Sequence, residues 1–201
     1  MGRKSNARQQ LLESATHLMQ ERGYTAVGVG EICRRAGVQK GSFYYFFPSK
    51  QALALAVLDL FWERIEDNLA ETLGGSAAPL DKLARFCVAA YGNQRQQQRE
   101  QGHCTGCFIG NLALEMSTQD PVLRDHLAEI LEKQAEALAE VIAEAQRRGE
   151  LPANNDPLRA ARSLMAYLEG LILIAKVRNE PKLLDGAEQE ALRLLGAQTA
   201  A

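Results

Sequence analysis

Glu31-Ile-Cys-Arg-Arg-Ala-Gly-Val-Gln-Lys-Gly-Ser-Phe-Tyr-Tyr-Phe-Phe-Pro-Ser-Lys50 is the stretch whose reading decides the fold. Two short helices are predicted around Gly37, the first over 29–36 with Ile32 and Cys33 on one side, the second over 39–46. A helix that packs, a glycine that turns the chain and a second helix that presents a face make the geometry needed to enter the major groove of DNA. On that face Lys40, Ser42, Tyr44 and Tyr45 can reach phosphates or base edges, and Gly41 lets the backbone come close. Phe43 and Phe47 are expected underneath, as anchors. Tyr44 to Phe47 could instead form one aromatic core, but helical spacing puts Tyr44 on the side of Lys40.

On the N-terminal side, Ala7, Leu11, Ala15, Leu18 and Met19 recur at helical spacing over 6–22, with Asn6 and Gln9 as a capping box and Gly23 as the stop. On the C-terminal side, Pro48 and Ser49 introduce a long amphipathic run through Leu53, Val57, Leu60, Phe61, Ile65, Leu69 and Leu73, ended by Gly74 and Gly75. It should join a head at 1–50 to a body at 51–201. Further helices follow at 79–101, 107–117, 120–148, 156–178 and 186–195. Asp120-Pro121 and Asp156-Pro157 each supply an N-cap and a first-turn proline. The expectation is an all-α chain of nine helices, three in a helix-turn-helix domain and the rest in a ligand-binding and dimerisation domain.

Composition is compatible with this. A chain of 201 residues, 46% hydrophobic, can bury a real core. It lacks an apolar run long enough to span a membrane and any secretory signal, so a cytoplasmic protein with no membrane partner is expected. The net charge of −2 hides a division: residues 1–50 carry eight Lys and Arg against three Asp and Glu, and the remainder carries fifteen against twenty-two. A basic head on an acidic body suits a polyanion-binding module attached to a domain that avoids nucleic acid. Arg3 and Lys4 read either as an arm on the DNA or as a solvated terminus.

At Ala15, Gly23-Tyr24, Ile32, Ala36-Gly37-Val38, Gly41, Tyr44, Phe47 and Ser49-Lys50 the chain resembles the TetR/AcrR family of bacterial regulators. The resemblance covers about the first fifty residues in detail and the rest in helix count and length. It implies that the segment from Lys40 to Tyr45 lies in the major groove of operator DNA and that Tyr44 and Lys50 hold phosphates. Three departures bear on detail: Gly28 stands where a Ser or Thr cap is common, Gln39 where Ser is usual, and Phe46 where His is frequent. Gln39 could read adenine through a paired contact, whereas Phe46 cannot donate a hydrogen bond. The resemblance also implies a homodimer and repression relieved by a small-molecule effector.

In the body, residues 158–175 are apolar around the whole helix, with Leu164, Leu168, Leu171 and Ile172 prominent, so two burying partners are needed. A core on one side and a second subunit on the other meet that need, with Leu192 and Leu195 adding to a four-helix interface. Trp62, Phe86, Tyr91, Phe108, Asn111, Glu115 and Tyr167 are the aromatic and polar residues available to line an effector cavity. His103-Cys104-Thr-Gly-Cys107 adds a Cys-x-x-Cys spacing where the next helix should begin with Gly106 and Cys107. A helix terminus there would favour the Cys107 thiolate, making it a candidate sensor of electrophiles or oxidants. A resemblance of the following stretch to electrophile-responsive TetR members points the same way. Cys107 could equally be an ordinary packing residue, with Cys104 incidental. Three candidate ligands are too few for a structural zinc site, and neither a metal nor a cofactor is expected. A thiol oxidoreductase or a helical adaptor are the competing readings; the first lacks the strand-helix-strand setting that such enzymes use.

Overall fold

The computed structural model describes residues 2–197, and the side chains of residues 2–5 and 93 lie outside that description, Arg3 and Lys4 among them. Within it the chain is all helical: α1 Gly2–Arg22, α2 Val29–Ala36, α3 Lys40–Phe46, α4 Lys50–Leu73, α5 Pro79–Gln101, α6 Phe108–Met116, α7 Pro121–Arg147, α8 Pro157–Arg178 and α9 Ala187–Leu194. The nine predicted helices are all present, together with a 3₁₀ turn at Pro181–Leu184 that the sequence pattern did not announce. Two boundaries are corrected. The first helix begins at Gly2, so Asn6 lies inside it and is no cap, because nothing in 2–5 breaks a helix. The sixth begins at Phe108, which leaves Cys107 just outside it.

The helix ends are fixed by the residues that the sequence offered. Asp120 Oδ1 accepts the amides of Val122 (3.0 Å) and Leu123 (3.1 Å), and Asp156 Oδ2 accepts that of Arg159 (2.7 Å). Ser49 Oγ does the same for Ala52 at the start of α4 (3.0 Å). Gly37 takes the left-handed conformation at φ +65°, and Val38 N donates to Cys33 O at 2.9 Å, which closes α2 and frees the chain to start α3. Gly28, with no side chain, leaves α2 without a side-chain cap.

The packing falls into two compact units. The first runs up to Glu63 and recruits Phe108–Ala128; the second holds Arg64–Cys107 and the chain from Glu129 onward. In the first, Leu11, Ala15, Ile32, Phe43, Leu53 and Val57 are completely buried, so α1 to α3 share one core with the start of α4. α6 joins that unit through the stacked rings of Phe61 and Phe108, 4.2 Å apart. Gln51 Nε2 donates to Asp120 at 2.7 Å, and His126 Nε2 lies 3.0 Å from Asp59 Oδ1.

In the second unit the buried stripe of α8 is Ala161, Leu164, Leu168, Ile172 and Ala175. Leu164, Leu168 and Ile172, offered as subunit contacts, are therefore packed inside their own chain, as is Leu195. Leu171 and Leu192 are partly buried. The apolar side chains that α8 and α9 leave in solvent are Leu173, Ile174, Val177 and Leu194.

Candidate nucleic-acid interface and thiol loop

α3 separates its two sets of aromatic residues. Phe43 is fully buried and Phe47 nearly so, their rings 6.0 Å apart, which pins the helix to the core. Tyr44 and Tyr45 are 54% and 73% exposed, and Gln39, Lys40, Gly41 and Ser42 are exposed as well. Large aromatic side chains at such exposure, next to a lysine, are costly to leave in water and invite a partner. Gln39 precedes the helix in extended conformation and its side chain makes no capping bond. Asn6 and Gln10 of α1 join Gly37, Gln39, Ser42 and Tyr45 around a shallow open recess on this side. The exposed Arg34 and Arg35 of α2 add positive charge that the sequence reading had not assigned, and Arg8 lies over the ring of Phe47 at 5.3 Å.

Lys50 is placed differently from the others. Its ammonium donates to the carbonyls of Tyr24 and Val27, each at 3.0 Å, and lies 4.0 Å from the centre of the Tyr24 ring. Burial lowers its pKa below the ordinary lysine value, with the Glu115 carboxylate opposing. A phosphate contact was the expectation; here the ammonium faces the protein's own backbone.

Glu115 also bonds to this turn. Offered as a cavity residue, it instead accepts the amides of Tyr24 (2.8 Å) and Thr25 (2.7 Å) at the end of α1. Burial pushes its carboxyl upward, but the hydroxyl and amide of Thr25, the amide of Tyr24 and the Lys50 ammonium outweigh that and hold it below the usual range. The remaining cavity candidates divide between the units. Half-buried Trp62 and Asn111 and buried Phe108 lie in the first, Phe86, Tyr91, Cys107 and Tyr167 in the second.

In the second unit, Cys107 and Tyr91 pack against a small core of Ile172, Ala175 and Leu184. The Cys107 thiol donates to the Glu169 carboxylate, whose pKa burial raises while that thiol and Lys176 lower it. Tyr91 donates to Glu188, and Arg95 pairs with Asp185. The loop before Cys107 is held at several points. Gln94 Nε2 donates to Gly106 O (3.1 Å) and its Oε1 accepts Gly106 N (3.0 Å). Asn179 Oδ1 accepts the Cys104 amide and its Nδ2 donates to Gly102 O, both at 3.0 Å. Cys104 is buried, and burial pushes its thiol pKa up, as it pushes that of Cys87 to about 12. All four cysteines are free thiols. Among the described residues no cluster of His, Cys, Asp and Glu is placed to hold a metal ion, and no helix is long and apolar enough to cross a membrane.

Known proteins share this helical fold. Residues 11–57 match the model for bacterial regulatory proteins of the tetR family, and residues 79–191 match the tetracyclin repressor-like C-terminal domain. The chain is 36% identical over 180 residues to the transcriptional regulator AcuR of Cereibacter sphaeroides, covering 88% of this chain and 80% of that one. It is 32% identical to the transcriptional repressor DhaR of a Mycobacterium species, covering 90% and 88%. A crystal structure of a TetR regulatory protein from Rhodobacter sphaeroides superposes with a TM-score of 0.82 at 34% identity, over 94% of this chain and 98% of that one. Reduced Escherichia coli NemR gives 0.82 at 25%, over 96% and 99%.

Proposed function

Because the chain belongs to the TetR/AcrR family of DNA-binding transcription regulators, which are not enzymes, we propose that it is a cytoplasmic, homodimeric repressor released from a pseudo-palindromic operator by a small-molecule effector. One observation carries the DNA-reading half: α3 buries Phe43 and turns Lys40, Ser42, Tyr44 and Tyr45 outward. Gln39 and Ser42 read base edges, while Lys40, Tyr44 and Tyr45 hold the backbone, in a protein divided into a reading segment at 1–50 and a sensing and pairing body at 51–201. That the relatives DhaR and NemR are named repressors favours repression.

Two copies join through the exposed stripe of Leu173, Ile174 and Val177 on α8 with Leu194 on α9, which a monomer would leave in water. The effector binds in the second unit, near Cys107, Tyr91 and Tyr167. An oxidant converts the Cys107 S–H to a longer S–O–H, and an electrophile that alkylates the sulfur removes the hydrogen that its thiol donates to Glu169, the proton passing to the electrophile's carbon or to solvent. That loss leaves a desolvated carboxylate without this partner, a state the local packing must relax to relieve. Coupling free energies of this kind are typically about 1 to 3 kcal/mol, enough to lower operator affinity several-fold or more.

A gel-shift titration against the promoter beside its own gene, repeated with a small unsaturated carbonyl compound and with peroxide, tests both halves. Release by either reagent in wild type and its loss in Cys107→Ser are the expected results. Unselective binding at physiological salt would count against the operator reading, and equal release of both proteins against the thiol.

A further inference from the structure

The turn that joins α1 to α2 is gripped by two side chains of opposite charge. Glu115, from α6, accepts its amides at Tyr24 and Thr25 (2.8 and 2.7 Å). Lys50, at the start of α4, donates to its carbonyls at Tyr24 and Val27 (3.0 Å each). Charge-assisted bonds of this kind are about twice as strong as neutral ones. Gly23 is shaped to the same purpose: it sits at φ +81°, and a Cβ there would stand 2.7 Å from Glu115 Oε2. The absent side chain leaves the space that the carboxylate fills. The bond from Gln51 to Asp120 (2.7 Å), whose own amide donates to Met116 O (2.9 Å), ties the start of α4 to the end of α6.

The gripped turn leads directly into α2, and α2 leads through Gly37 into α3. Both helices are short, eight and seven residues, so their direction depends on where the turn is held. Neither Glu115 nor Lys50 belongs to the exposed face of α3. We infer that Glu115 and Lys50 are positioning residues for operator recognition: they fix turn 23–27, and with it α2 and α3, at the angle at which the duplex is read, and they touch neither effector nor phosphate. This rests on the proposed DNA reading by α3.

The test uses the full-length protein, a duplex enriched from a random pool by the wild type, and an unrelated duplex of equal length. Glu115→Gln keeps one acceptor oxygen but turns an amide group toward the second backbone N–H. Lys50→Gln removes the cation and leaves the Glu115 bonds in place. Each variant should bind the enriched duplex roughly tenfold or more weakly and the unrelated duplex as the wild type does. The slope of log affinity against log salt should stay at the wild-type value in both. Faster hydrogen exchange at the Tyr24 and Thr25 amides should accompany the loss in Glu115→Gln.

A slope reduced by about one in Lys50→Gln would make Lys50 a phosphate contact and overturn its assignment. Wild-type affinity in Glu115→Gln would overturn the role of Glu115 and leave the reading of DNA by α3 intact. Failure of the wild type to enrich any duplex would overturn both. Should Glu115→Gln not fold, Lys50→Gln decides the same question.

Discussion

At the scale of single residues, the DNA-facing roles differ in what their loss changes. Lys40 is an exposed cation, so Lys40→Ala should weaken binding to every duplex alike and reduce the salt slope by about one. Tyr44→Ala should weaken operator binding with the slope retained; titration at three salt concentrations separates the two. Glu115 makes a pH prediction. Its carboxyl is held below the ordinary glutamate range, so its contribution to stability is complete above the unfolded value, about 4.3. That contribution is lost as pH falls through the lower folded value. The stability difference between wild type and Glu115→Gln, read from urea unfolding, should be constant from about pH 7 to 5 and narrow below about 4. Gly28 offers a gain: a Cβ there meets nothing within 4 Å, and α2 has no side-chain cap. Gly28→Ser should therefore add a few tenths of a kcal/mol in the same assay.

Among the elements, the loop before α6 is held by a buried amide. Gln94 is 3% exposed and satisfies both backbone groups of Gly106. Gln94→Ala strands both and should cost about 1 to 3 kcal/mol, seen as a lower melting temperature and faster alkylation of Cys104 by iodoacetamide. The helices themselves were legible because their punctuation is local: Asp120-Pro121, Asp156-Pro157 and Gly37 announce boundaries within a few residues. The 3₁₀ turn at Pro181–Leu184 was not, since four residues carry no periodicity to read. The bonds of Glu115 and Lys50 were not legible, for a different reason. Both bear the residue types expected of their predicted roles, and the partners that claim them lie 91 and 26 residues away in sequence. Nothing local distinguishes a carboxylate that lines a cavity from one that caps a distant turn.

For the whole molecule, the limit of sequence reading is which side of α8 faces which partner. A helix apolar all round told us that two surfaces must be covered, but Leu164 and Val177 are equally apolar in sequence. Only folding assigns the first to the chain's own core, at 3% exposed, and leaves the second at 77%. Ile174→Asp with Val177→Asp should leave the helical content unchanged, halve the mass in sedimentation equilibrium and sharply weaken operator binding, since one head then meets one half-site. The most direct measurement is selection from random duplexes with the intact protein, followed by footprinting of the enriched sequence. An inverted repeat with half-sites about 34 to 36 Å apart or a multiple of that, protected by wild type but not by Lys40→Ala/Tyr44→Ala, is the expected outcome. Enrichment of no sequence, or protection that survives the loss of both side chains, would contradict the reading of α3 as the helix that recognises DNA.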